Sequence, residues 1–179
     1  MNRIITFIEK NSKSEYKLYL DSNRKLCKDN DIDFEVMEYI SEYGHPSIDK
    51  DFGIFKLAED EKYAKTMFID SDVKLINIPK DFEEGLPYFG SVINANGIVV
   101  PSMCLVYVNN CSEIFKQWNI EYKNRKIQPV YNHYFKIIRD KNVKLIDAKC
   151  YEHDEMTLSI KSLTKEQRRN VKAKTVQRW

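Results

Sequence analysis

The stretch Ala64–Ile78, AKTMFIDSDVKLINI, decides how this chain is read. Thr66–Ile69 is an apolar, β-leaning run. It ends in two carboxylates one residue apart, Asp70 and Asp72, and a second apolar run, Val73–Ile78, follows. Two acids side by side at the end of a buried strand disfavour each other's ionised form, so such an edge calls for a cation.

The residues before it alternate in type. Arg3–Glu9 (RIITFIE) is a compact apolar run, a first strand. Ser12 and Glu15 have the spacing of a capping box. Tyr16, Leu18, Tyr19, Leu20 and Leu26 then predict an amphipathic helix to about Cys27. Asp33–Tyr39 alternates as a strand, Tyr43–Pro46 breaks both periodicities, and Asp49–Lys62 carries Phe52, Phe55, Leu57 and Ala58 at helical spacing. Strand, helix, strand, helix, strand implies parallel strands joined by helical crossovers, an α/β fold. In such sheets ligands bind beyond the carboxyl ends of the strands, where Asp70 and Asp72 lie.

After Pro79 the pattern changes. Tyr88–Ile93 and Ile98–Val100 read as short strands around the turn Asn94–Gly97, and Ser102–Val108 as a separate strand after Pro101. Helices are predicted over Cys111–Tyr122 and Gln128–Arg139, and a last strand over Val143–Ile146. Cys150–Lys161 reads as irregular. Leu163–Arg178 reads as a basic helix opened by a Thr164 and Gln167 capping box.

Composition sets the class. With 179 residues, 42% apolar and 31% charged, the chain can bury a core without staples. Cys27, Cys104, Cys111 and Cys150 form no CxxC pair, which argues against a zinc site or disulfide framework. Three of them sit in or beside apolar runs, which suggests buried thiols. The first residues are too short an apolar run for a signal peptide, and nothing approaches the roughly 18–20 apolar residues of a membrane span. The expectation is a cytoplasmic protein.

Asp-x-Asp alone is a weak signal. The sequence has four: Asp29/Asp31, Asp31/Asp33, Asp49/Asp51 and Asp70/Asp72. Only the last follows a hydrophobic strand. Asp29–Asp33 fails as a calcium loop, because Phe34 stands where Gly is needed and Ile40 where the bidentate Glu is needed. The first three pairs read as solvated loops or helix starts. Asp70/Asp72 suits Mg²⁺ or Mn²⁺ held against phosphate oxygens, since hard cations take carboxylates and share their shell with a phosphate.

At these residues the chain carries a resemblance. Phe52–Ile78, FGIFKLAEDEKYAKTMFIDSDVKLINI, resembles the central segment of GT-A-type glycosyltransferases, nearest to the glycogenin and bacterial galactosyltransferase group. Pro101–Asn110, PSMCLVYVNN, is similar to that family's N-S-G strand, Gln128–Asn132 to its D-Q-x-x-x-N helix start, and Cys150–Asp154, CYEHD, to its metal-site histidine segment. The departures are Ile127 in place of the Asp before Gln128, and Pro101 and Met103 flanking Ser102.

The resemblance implies a GT-A fold over residues 1–161, with a mostly parallel sheet flanked by helices, a short antiparallel part and a basic tail over 162–179. It implies a metal held by Asp70, Asp72 and His153. It implies a nucleotide-sugar donor, UDP-sugar favoured, bordered by Thr6, Phe7, Ile8 and Glu9, with Lys56, Ser71 and Lys161 near the diphosphate. Ser102, Met103, Gln128 and Asn132 would meet the donor sugar and the acceptor.

The alternatives are a haloacid-dehalogenase-type phosphatase with Asp70 as nucleophile, and a non-catalytic module that keeps the fold. His45, His133 and the aromatics at helical spacing are expected to be structural. Lys161–Trp179 has seven Lys or Arg and one Glu. It reads as a solvated helix or, through Arg168, Arg169 and Lys172, as a contact for a polyanion such as nucleic acid.

Overall fold

The computed structural model describes residues 1–10, 19–40, 42, 46–93, 99–124 and 143–153. Its elements in chain order are β1 (Arg3–Glu9), α1 (Leu20–Asp29), β2 (Asp33–Tyr39), α2 (Pro46–Ala58), a 3₁₀ turn at Glu61–Tyr63, β3 (Lys65–Ile69), β4 (Val73–Leu75), β5 (Tyr88–Ile93), β6 (Val99–Asn109), α3 (Ser112–Asn124), β7 (Lys144–Leu145), a 3₁₀ turn at Ala148–Cys150 and β8 (Tyr151–His153). The capping boxes at Ser12 and Thr164, the turn at Asn94–Gly97, the helix over Gln128–Arg139, the basic terminal segment, and His45 and His133 lie outside the described residues.

Six strands form one sheet in the order β2-β1-β3-β6-β5-β7, and β4 pairs with β8 in a second sheet. β1 runs parallel to β2 and β3, as the strand–helix alternation requires. β6 enters antiparallel beside β3 and β5, and β7 is parallel to β5. The sheet is therefore mostly parallel, with an antiparallel centre.

Both faces are covered, so each inner strand is apolar on both sides. Along β1, Ile5 packs on one face with Ile54 and Phe55 of α2 and Phe115 and Trp118 of α3. Its neighbour Ile4 packs on the other, with Cys27 of α1 and Val73, Leu75 and Tyr151 of the small sheet. The same alternation puts Phe68 on the first face and Met67 and Ile69 on the second. Phe115 and Trp118 are fully buried, with ring centroids 5.1 Å apart.

Two sequence expectations change here. Ile98–Val100 and Ser102–Val108 do not form two strands split at Pro101, because β6 runs unbroken through it. Pro101 pairs with Ser91 of β5, while β3 pairs with β6 only from Leu105 onward, so there one side of β6 has no described ladder for a proline to interrupt. Nor is the segment after Cys150 wholly irregular, since Tyr151–His153 is a strand against β4.

Gly90 marks a break in register. Phe89 faces Val106, but Gly90 faces Ser102, so β6 bulges between them. A Cβ on Gly90 would lie 2.7 Å from Cys104 Sγ and 3.2 Å from the Leu105 backbone nitrogen. The thiol can turn, but the backbone cannot without moving the bulge. Gly90→Ala is expected to cost about 1–3 kcal/mol, read as a lower urea midpoint at unchanged slope. A midpoint equal to wild type would show that the bulge yields.

Candidate metal centre at the strand ends

The site begins where β3 stops. Asp70 N–H donates to the Cys104 carbonyl in the bulge of β6 (2.8 Å), and Val73 N–H returns to the Asp70 carbonyl (3.1 Å). That tight turn carries Asp70, Ser71 and Asp72, all half-buried. β4 then pairs with β8 so that Val73 faces His153. The Ile76 N–H reaches the Cys150 carbonyl (2.8 Å) and fixes the far end of that pairing.

Asp70, Asp72 and His153 thereby offer one ligand atom each within 4.8 Å of one another. His153 is 4% exposed, and its Nε2 lies 3.4 Å from Asp72 Oδ1. Burial pushes the Asp72 carboxyl upward, but the contact with His153 outweighs it and holds Asp72 below the ordinary carboxylate range. Two carboxylates and an imidazole fit a divalent ion, and the mixed set suits Mn²⁺ better than Mg²⁺.

A fourth group, which the sequence reading missed, completes the cluster. Lys50 of α2 sets its Nζ 2.7 Å from Asp70 Oδ1 and 2.9 Å from Oδ2. Burial opposes the ammonium form, but Asp70 and Asp51 outweigh it and keep Lys50 charged. Burial nevertheless raises the Asp70 carboxyl, with Asp72 adding to the rise and Lys50 opposing it. The repulsion between the two acids thus has an internal answer, since Lys50 sits on one and His153 on the other.

Asp49 and Asp51 are not simply a solvated helix start. Asp49 accepts the Glu42 N–H (2.9 Å). Asp51 is 6% exposed and falls on the inward stripe of α2 with Ile54, Phe55 and Ala58. The helix begins at Pro46, earlier than predicted. Asp51 lies three residues before Ile54 and seven before Ala58, and that helical spacing was the available signal.

Burial raises the Asp51 carboxyl from the ordinary 3.8 to about 7, with Lys50 opposing and Asp70 adding. Between those values the folded chain keeps a proton that the unfolded chain has released. Stability from this group is therefore present at low pH and lost as pH rises towards 7. Without divalent ions, Asp51→Asn is expected to flatten this slope, with an advantage over wild type that grows from pH 4 and levels off above pH 7. An advantage on the order of 2–4 kcal/mol, from urea melts across that range, corresponds to the shift. Parallel pH profiles would refute it.

The other expected site residues are placed as follows. Thr6 is buried and pairs in register with Ile69; Ile8 is buried; Phe7 stacks on Phe68 at 5.9 Å; and Glu9 closes β1 beside Tyr39 at the end of β2. Thus Glu9, Tyr39 and Asp70 stand at the carboxyl ends of three adjacent parallel strands. Ser102 Oγ accepts the Cys104 N–H (3.2 Å). Lys56 is exposed, about 240° round the helix from Lys50, so the basic residue at the acids is Lys50. Met103 lies inside the bulge of β6 and is 7% exposed, packed in the core with Phe89 and Trp118. Lys161, Gln128, Asn132, Arg168, Arg169 and Lys172 lie outside the described residues.

By sequence, no family model and no curated protein matches the chain. By structure, the chain is similar to a glycosyltransferase involved in glycosylation of the major capsid of PBCV-1. That match has a TM-score of 0.59, 14% identity and coverage of 80% of this chain and 79% of that one. It is also similar to the glycosyltransferase GlyE of Streptococcus pneumoniae TIGR4, with a TM-score of 0.53, 12% identity and coverage of 82% of this chain and 45% of that one. Parallel β1, β2 and β3, an antiparallel β6 beside them, and acids at the end of the third strand do not fit the phosphatase alternative, whose motif closes the first strand. The chain has a GT-A fold.

Proposed function

We propose that the protein is a metal-dependent glycosyltransferase that moves a sugar from a nucleoside-diphosphate donor, with UDP-sugar favoured. The observation that carries this reading is the convergence of Asp70, Asp72 and His153 at the carboxyl ends of parallel strands in a GT-A fold. In this reading those three residues hold Mn²⁺ or Mg²⁺, which supplies neutralising charge to the departing diphosphate. Lys50 orients Asp70 and adds positive charge to the same edge. The ends of β1 and β2, with Thr6, Phe7, Ile8, Glu9 and Tyr39, are assigned to the nucleotide, and Ser71 and, by its place in the chain, Lys161 to the phosphates. Ser102, Gln128 and Asn132 are assigned to the sugar and acceptor region.

The acceptor in this reading is a glycan, a protein or a modified DNA base; one similar structure is that of an enzyme involved in glycosylation of the major capsid of PBCV-1. Contact with a polyanion through Arg168, Arg169 and Lys172 is a separate proposal. It is refuted if neutralising all three leaves DNA affinity unchanged. No helix among the described residues is long and apolar enough to cross a membrane. The four cysteines are free thiols, which supports a reducing, cytoplasmic setting.

The test is a thermal-shift panel of UDP-, GDP-, ADP- and CMP-sugars with and without Mn²⁺. One donor is expected to raise Tm by roughly 5 °C or more, and only with the metal, as for a ligand near a hundred times its Kd. Stabilisation without turnover would favour a non-catalytic module. No stabilisation by any donor would overturn the reading.

A further inference from the structure

We propose that Asn23, on α1, is the positioning residue that holds the metal triad together; this rests on reading Asp70, Asp72 and His153 as a metal centre. Asn23 is 1% exposed, a polar side chain on a helix whose inward face is otherwise apolar. Its carboxamide spans β4. Nδ2 donates to the Val73 carbonyl (2.8 Å), and Oδ1 accepts the Leu75 N–H (2.9 Å).

A carboxamide carries one donor side and one acceptor side, as a peptide unit does. Residues i and i+2 of a strand point their backbone groups to the same edge. Ile76 directs its N–H to Cys150 on the β8 side. Val73 and Leu75 are out of phase with it and face the opposite edge, where Asn23 meets them. Asn23 thus stands in for a third strand beside a two-stranded sheet of three residues each.

That sheet is too short to persist by itself. Yet it sets the triad, because Asp72 immediately precedes β4 and His153 is paired with Val73. A second anchor acts on its other member. The buried Tyr151 hydroxyl accepts the Ser91 N–H (2.6 Å) and ties β8 to β5. Tyr151 fixes the strand that bears the histidine, and Asn23 fixes the strand that begins at the acids. Loss of Asn23 frees β4 to shift against the sheet that carries Asp70. Partners that bond a metal ligand directly are worth roughly 10–100-fold in metal affinity, and Asn23, which acts on Asp72 through the adjoining backbone of Val73, is expected at the lower end of that range.

The test measures Mn²⁺ binding by the electron paramagnetic resonance of free Mn²⁺, with UDP present, at a temperature where every variant is folded. Asn23→Leu removes both bonds and is expected to weaken Mn²⁺ binding by roughly 10-fold or more. Ile54→Val and Ile54→Ala, in the opposite core cluster, bracket its loss of stability and are expected to bind within twofold of wild type. Should Asn23→Leu not fold, Asn23→Ser, too short to bond both Val73 and Leu75, is expected to show a loss in the same direction. Folded Asn23 variants that bind Mn²⁺ within twofold of wild type would overturn the assignment and leave Asn23 a purely structural residue. Wild type without Mn²⁺ binding would instead overturn the metal centre itself, and the assignment with it.

Discussion

Asp72→Ala is expected to lower metal-dependent sugar transfer by about a thousandfold or more while the chain stays folded. Asp72 is one-third exposed, and its contact with His153 is the polar link between the acid turn and β8. It is held below the ordinary carboxylate range, so it is ionised across the working pH span and available as a ligand. Stabilisation of transition-state charge by a bound metal is worth several kcal/mol, and about 4 kcal/mol corresponds to a thousandfold. Because the carboxylate is partly solvated, its removal is expected to change unfolding stability by no more than about 1 kcal/mol. The measurement pairs donor-dependent release of nucleoside diphosphate with a urea melt. Activity within tenfold of wild type would remove Asp72 from the metal centre.

Lys50→Met is expected to destabilise the metal-free chain by about 3 kcal/mol, and Mn²⁺ is expected to reverse much of that loss. Lys50 and Asp70 are 14% and 20% exposed, so the pair is largely withdrawn from water. Methionine keeps the length of the stem and removes the charge. Asp70 then faces Asp72 and Asp51 without a counter-ion, and breaking a buried pair from one side costs about 3–5 kcal/mol. The carboxyl recovers part of this by taking a proton, which sets the lower figure. A divalent ion on Asp70 and Asp72 supplies the missing charge, so Mn²⁺ should stabilise the variant more than wild type. Equal Mn²⁺ stabilisation of the two proteins, read from paired urea melts, would show that Lys50 and the metal do not share Asp70.

The sequence made some of this visible, and chain chemistry explains what it hid. β1 and β2 were readable to their end residues, because each is one uninterrupted β-type run between polar breaks. Asp70 and Asp72 stood out because only that acid pair follows an apolar strand. His153 was reached through a family resemblance, not through periodicity. Three residues, Tyr151–His153, are too few to show an alternation, so the strand that delivers the imidazole was invisible. Asp51 lay inside the predicted helix but was read as part of a solvated helix start, and Lys50 carried no signal of its own. Asn23 was hidden because its partners are backbone groups of another element, which leave no trace in side-chain pattern. The inward packing of Met103 was hidden because a bulge shifts which residues of β6 face the core.

The pairing of Val73 with His153 also orders events in time. The two acids take their geometry from a local turn and are in place once β3 meets β6. With β3 already on β6, the imidazole arrives only when a further segment of about 44 residues, from Asn109 to His153, has closed, an entropic cost of roughly 3 kcal/mol for a flexible chain of that length. The site is therefore expected to assemble in halves, carboxylates first and histidine last. Through that interval Lys50, already local to Asp70, neutralises one of the exposed acids. Pulse-labelled hydrogen exchange should show β3 amides protected before those of β8. A chain still short of that last step carries an acid pair with a tethered ammonium, and no third donor with which to capture an ion.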